Sequence, residues 1–151
     1  MAFIEVLFWI ALAVVVYTYV GYGVVLWLLV KVKEWFVKPV QRPLPTDEEL
    51  PEMTLFIAAY NEEKVVDEKM ANCLDIDYPR EKLHIVWCTD GSNDHTVERL
   101  QKGWPQATVL HAPERKGKTA AINRGIAFVH TPIVAFTDAN TLLNKKSLRL
   151  I

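Results

Sequence analysis

From Val6 to Val30 the chain carries no charged side chain. At the helical rise of about 1.5 Å per residue, these roughly 25 residues reach about 37 Å, longer than the hydrocarbon core of a bilayer. The run predicts one transmembrane helix. A cleaved secretory signal is the competing reading, but its apolar region is about 7 to 15 residues long and leads into a small-residue cleavage site. Here Lys31-Val32-Lys33-Glu34-Trp35-Phe36 follows instead. Only Glu5 precedes the run, whereas Lys31, Lys33, Lys38 and Arg42 come after it. Positive flanks stay on the cytoplasmic side. The expectation is a single-pass anchor in the cell (inner) membrane with the rest of the chain in the cytoplasm. Trp35 and Phe36 serve there either as headgroup-level anchors or as contacts with the soluble part.

The remaining sequence changes character twice. Pro39, Pro43, Pro45 and Pro51, mixed with polar and acidic residues, predict an extended linker over 38–52. Beyond it, short apolar runs alternate with helical patterns. Met53–Ala59 reads as a buried strand, and a helix with an acidic first turn is expected from Asn61, with Val65, Val66, Met70 and Leu74 on its apolar face. Leu83–Cys88, Thr108–His111 and Pro132–Phe136 supply further strands, separated by helices from about Asp94 to Lys102 and from Lys118 to Phe128. Such alternation calls for right-handed crossovers and a mainly parallel, Rossmann-like α/β sheet covered on both faces. At Ser147–Ile151 a further amphipathic helix is expected to begin, so the sequence reads as the front part of something longer.

Composition narrows the chemistry. With 151 residues and a net charge of -1, the chain has no basic face for nucleic acid. Cys73 and Cys88 are its only cysteines, have no metal-type spacing to the histidines, and read as buried reduced thiols. The four histidines form no nucleophile or metal pattern.

Two strands run out into acidic turns, Thr89-Asp90-Gly91-Ser92-Asn93-Asp94 and Thr137-Asp138-Ala139-Asn140. The carboxyl ends of strands are where an open α/β sheet builds its ligand site. Between them lies the basic turn Arg115-Lys116-Gly117-Lys118. Cations and metal-holding oxygens together suit a nucleoside diphosphate with a divalent ion. Asp90 can accept hydrogen bonds from a nucleotide, with Gly91 permitting a tight turn; alternatively Asp90 or Asp94 caps the next helix. Asp138 and Asn140 can offer oxygens to Mg²⁺ or Mn²⁺, or can form a solvated Asx turn. Gly117-Lys118-Thr119 imitates the end of a phosphate-binding loop, but Ala112 stands where that motif needs glycine. Tyr60-Asn61-Glu62-Glu63 likewise lacks the glycines of a dinucleotide-binding turn.

Taken in order, Ala58-Ala59-Tyr60-Asn61-Glu62-Glu63, Thr89 to Thr96, Arg115-x-Gly117-Lys118-x-x-Ala121-x-Asn123 and Thr137 to Asn140 resemble family 2 of the glycosyltransferases over roughly Met53 to Ile151. The resemblance implies a GT-A fold and an inverting, membrane-bound enzyme of the polysaccharide or cell-surface glycan branch. It implies a nucleotide-diphosphate sugar donor, a glycan or lipid-linked acceptor, and Mg²⁺ or Mn²⁺ on the diphosphate. Carried over by motif, nucleotide binding falls to Ala59, Tyr60, Asn61, Glu62, Asp90, Lys118 and Asp138, and the metal to Asp138 and Asn140. Two positions depart from the family pattern: Thr89 stands where a second aspartate is common, and Asn140 where the metal motif often ends in aspartate. The family's general base lies beyond Ile151, so residues 53–151 are expected to hold only the donor side and to transfer no sugar alone. A non-catalytic, membrane-anchored module that binds a nucleotide or a protein partner is the alternative. A nucleotidyltransferase would share the sheet but lacks a glycine-rich first turn here.

Overall fold

The computed structural model describes residues 2–37 and 43–151. It forms two compact units, Met1–Pro43 and Leu44–Ile151. Residues 38–42 of the expected linker, with Lys38 and Arg42 of the basic flank, lie outside the described residues.

The first unit is one helix of 35 residues, Ala2–Phe36. It comprises α1 (Ala2–Val16), a π-helical turn (Tyr17–Gly21) and α2 (Tyr22–Phe36). At about 52 Å it is long enough, and apolar enough, to cross a bilayer. Helical geometry pairs the backbone within the segment, as lipid demands, and the Thr18 hydroxyl is satisfied by donating to the Val14 carbonyl at 2.8 Å.

The second unit is a four-stranded sheet in the order β3-β2-β1-β4, built from β1 (Met53–Ala59), β2 (Leu83–Asp90), β3 (Ala107–Ala112) and β4 (Ile133–Asp138). Every pairing is parallel. The crossovers are α3 (Val66–Asp75), α4 (Thr96–Gly103) and α5 (Lys118–Ile126). The α/β class and the parallel sheet expected from sequence are therefore the observed architecture. Because side chains alternate along a strand, each face has its own core. Leu55, Ile57, Ile85 and Trp87 pack with Val66, Met70 and Cys73 of α3 and Leu100 of α4. On the other face Phe56, Val86 and Cys88 pack against Ala121 of α5. Both cysteines are free and buried. Burial on both faces explains why β1 reads as a continuous apolar run rather than an alternating one. It also places the reversal of strand order between β1 and β4, so their carboxyl ends flank a crevice.

Three local expectations change. The helix after β1 begins at Val66, not Asn61. Asn61 has φ 53°, a left-handed conformation that asparagine tolerates. The amides that would open the helix are engaged elsewhere: Asn61 N donates to Ser92 Oγ, Glu62 N to Thr96 Oγ1 and Glu63 N to Asp94 Oδ2. Near the carboxyl end, residues 145–149 form turns rather than a helix, and Leu148 is buried. Finally, the segment Leu44–Glu52, expected within the linker, is fastened to the second unit. Leu50 is buried, Tyr78 Oη donates to Pro51 O at 2.6 Å, and Lys82 Nζ donates to the carbonyls of Asp47, Glu48 and Leu50.

Candidate functional site

A cleft of about 260 Å³ opens at the carboxyl ends of β1, β2 and β4, where the Gly117–Lys118 start of α5 also arrives. Ala59, Tyr60, Glu62, Asp90, Lys118, Asp138 and Asn140, all expected in the site, line it. Parallel register supplies the reason. Ala58 sits level with Cys88 and Asp138, and Ala59 with Thr89, so the strands end together and their turns converge.

Asn61 is the expected site residue that does not line the cleft. Its side chain joins two turns instead: Nδ2 donates to Asn93 Oδ1 at 2.7 Å, and Asn93 N donates to Asn61 Oδ1 at 2.9 Å. It fixes the path of the β1 turn, which carries Tyr60 and Glu62 into the cleft.

Asp90 does not cap α4. Its Oδ2 accepts from the amides of Lys116 at 2.8 Å and Gly117 at 2.6 Å, holding the basic turn against the end of β2. Its Oδ1 is buried without a hydrogen-bond partner, and Arg124 Nη1 lies 3.5 Å away as an ionic contact only. Burial pushes the Asp90 carboxyl up, but the two amides and the Arg124 guanidinium outweigh it and hold the pKa below the ordinary value. A carboxylate kept ionised, with one oxygen unspent and a cleft beside it, is suited to accept a hydrogen bond from a ligand. Asp94 instead ties the start of α4 to the β1 turn: its Oδ1 accepts from Thr96 N at 2.9 Å and its Oδ2 from Glu63 N at 3.1 Å.

Glycine makes this junction feasible. Gly91 has φ +71°, and a Cβ there would lie 2.7 Å from Arg115 N, so the β2 turn can pass the basic turn only without a side chain. Gly117, at φ +93°, opens α5. Arg115 is a lining residue that motif reading did not assign. Its Cζ stands 3.8 Å from the centroid of the Tyr60 ring, so a cation and an aromatic face form one wall. Its place two residues before Gly117, in the same basic turn, was the available signal.

On the opposite wall Lys118 Nζ forms an ion pair with Asp138. Both side chains are more than half exposed, so the pair contributes little to stability and separates readily. Glu62 adds a third carboxylate. Its pKa is raised, first by burial and then by the charges of Asp94 and Asp138. Among the described residues no three His, Cys, Asp or Glu side chains are grouped to hold a metal. The donors that exist, the Asp138 carboxylate and the Asn140 amide carbonyl, are hard oxygens on one turn. That set fits Mg²⁺ or Mn²⁺, which use one or two protein groups and complete their shells with phosphate oxygens and water. Thr89 lies outside this site. It is buried, points to the α3 and α4 face, and pairs with His111 Nδ1 at 2.8 Å.

A parallel α/β sheet with acidic strand ends and a lysine-bearing helix start is the nucleotide-binding half of a GT-A fold. Residues 54–151 match the sequence model described as Glycosyl transferase family 2, and the chain belongs to that family. It is 27% identical over 126 residues to the poly-beta-1,6-N-acetyl-D-glucosamine synthase of Staphylococcus aureus, a match covering 79% of this chain and 30% of that protein. It is 33% identical over 107 residues to the beta-monoglucosyldiacylglycerol synthase of Synechocystis, covering 67% of this chain and 22% of the relative. The chain thus spans under a third of the length of these curated relatives. Among solved structures, the mannosyltransferase PcManGT of Pyrobaculum calidifontis, in complex with GDP-Man and Mn²⁺, superposes with a TM-score of 0.67 at 30% identity. That match covers 89% of this chain and 41% of the other. TarS of S. aureus gives a TM-score of 0.60 at 22% identity over 65% of this chain and 30% of its own, a likeness of fold.

Proposed function

We propose that residues 53–151 form the donor-binding part of a membrane-anchored, inverting glycosyltransferase that draws on a nucleotide-diphosphate sugar for polysaccharide or glycan synthesis. The observation that carries this reading is the single cleft in which Asp90, Lys118 and Asp138 meet from three separate elements. In it, the nucleoside lies along Ala59, Tyr60 and Glu62 with Asp90 Oδ1 as acceptor, while Asn61 acts by holding that turn. The diphosphate lies toward Lys118 and the amino end of α5, where positive charge and the helix terminus favour an anion. Asp138 and Asn140 hold Mg²⁺ or Mn²⁺ between protein and diphosphate, and the ion supplies charge neutralisation of the departing group. A glycan or lipid-linked hydroxyl is the acceptor, and no residue among 53–151 is assigned as its general base. The Ala2–Phe36 helix anchors this part at the cytoplasmic face of the inner membrane. The GDP-Man and Mn²⁺ held by PcManGT, 30% identical to this chain, support a nucleotide-sugar donor.

Titration calorimetry of the detergent-solubilised chain with uridine and guanosine diphosphates, with and without Mn²⁺, tests the reading. Binding that strengthens with Mn²⁺ is expected. Asp138→Ala should abolish the metal-dependent part, whereas Asp94→Ala should leave it and cost about 1–2 kcal/mol through the bonds lost to Thr96 and Glu63. A folded chain that ignores both nucleotides, or equal losses in the two variants, would refute it.

A further inference from the structure

The α3 face of the sheet contains a lysine that the site chemistry does not use. Lys69 is fully buried and surrounded by Val66, Met70 and Cys73 of the apolar core. Enclosing an ammonium is costly unless it is well bonded. Its Nζ donates to Thr137 Oγ1 at 3.0 Å and to the Thr141 carbonyl. These two acceptors bracket Asp138-Ala139-Asn140, and Thr141 N closes the same turn on Asp138 O at 3.3 Å. One helical turn on, Asn72 grips the chain beyond the turn from the same side: Nδ2 donates to Leu143 O at 2.8 Å, and Leu143 N donates to Asn72 Oδ1 at 2.8 Å. Four hydrogen bonds from α3 therefore hold residues 137–143. Asp138 itself points the other way, into the cleft.

A neutral side chain could tie a loop without the cost of desolvation. Burial drives the Lys69 pKa down, and the attraction of Cys73 and Asp138 opposes this. Lys69 Nζ sits on the far side of β4 from the Asp138 carboxylate, outside that carboxylate's place in the cleft.

We propose that Lys69, with Asn72, is a positioning residue that fixes the Asp138–Asn140 turn in its metal- and diphosphate-holding geometry from behind the sheet. The inference rests on the donor-site reading above and extends it to a residue that touches neither nucleotide nor metal.

The test uses the full chain in detergent micelles and reads two quantities for each variant: affinity for uridine diphosphate without metal, and the factor by which Mn²⁺ improves it. Lys69→Met should cut the Mn²⁺ factor at least tenfold while metal-free affinity stays within twofold. Met70→Ala is the control, since it removes core packing from the same helix without touching the turn; it should lower the melting temperature and leave the Mn²⁺ factor intact. Should Lys69→Met not fold, Thr137→Val decides by deleting one acceptor of the same clamp, with at least a threefold loss of the Mn²⁺ factor expected. An unchanged factor in the clamp variants, or an equal loss in Met70→Ala, would overturn the proposal. A wild-type chain whose binding gains nothing from Mn²⁺ would overturn the donor-site reading and this inference with it, and is distinguished by appearing before any substitution is made.

Discussion

Asp90 illustrates how one carboxylate can serve both fold and site. One oxygen is spent on the Lys116 and Gly117 amides, and the other has no hydrogen-bond partner. Because its pKa lies below the ordinary value in the folded chain, the unfolded chain binds its proton first as pH falls. The stabilisation is therefore fully present above the unfolded carboxyl pKa, about 3.9, and is lost as pH drops through the lower folded value. Asp90→Asn should lower the melting temperature at pH 7 and flatten its acid limb below about pH 4, so that the two proteins converge under strongly acidic conditions. Melting curves across pH check this. Parallel acid limbs would mean that the amides and Arg124 do not hold the carboxylate as described.

At the level of elements, the strands were the most legible part of the sequence, above all β1 and β2, which are short apolar runs ended by a turn and buried on both faces. Met53–Ala59 needed nothing beyond that pattern. The turns that carry the motif residues converge because parallel register brings the strand ends level. What pattern could not supply was the partnership between turns. Asn61 looked like the start of a helix and a nucleotide contact, yet its conformation and bonds are set by Asn93, 32 residues away. Lys69 drew no reading from the sequence; its burial depends on β4 and the turn after it, which local periodicity cannot report. Gly91 belongs to the same class of long-range contact. Gly91→Ala must adopt φ +71° and push against Arg115 backbone, so it should cost about 1–3 kcal/mol of stability. It should also weaken nucleotide binding by displacing the Arg115–Lys118 turn. Denaturant unfolding and calorimetry on the same sample measure both, and loss of stability with unchanged binding would separate the turn from the cleft.

For the whole molecule, the start of the second compact unit is set by packing rather than by proline content. The prolines from 39 to 51 suggest an open tether up to Glu52, but the compact unit begins at Leu44. Leu50 is 6% exposed, Lys82 spans three carbonyls of this segment, and Arg149 Nη1 reaches back to the Pro45 carbonyl at 2.9 Å. Two truncations separate the descriptions. A chain beginning at Leu44 keeps all of these bonds and should unfold cooperatively with the nucleotide affinity of the full chain. One beginning at Met53 loses Leu50, whose burial alone is worth about 1.5–3 kcal/mol. At about 4 °C per kcal/mol for a unit of this size, its melting temperature should fall by at least about 6 °C. The loss should extend to Tyr78 and Lys82, whose acceptors disappear with the segment, and hydrogen exchange should quicken at the start of β2 before it does so at Asp138. Equal melting temperatures for the two truncations would restore the open tether and make the contacts of Leu44–Glu52 incidental to the fold.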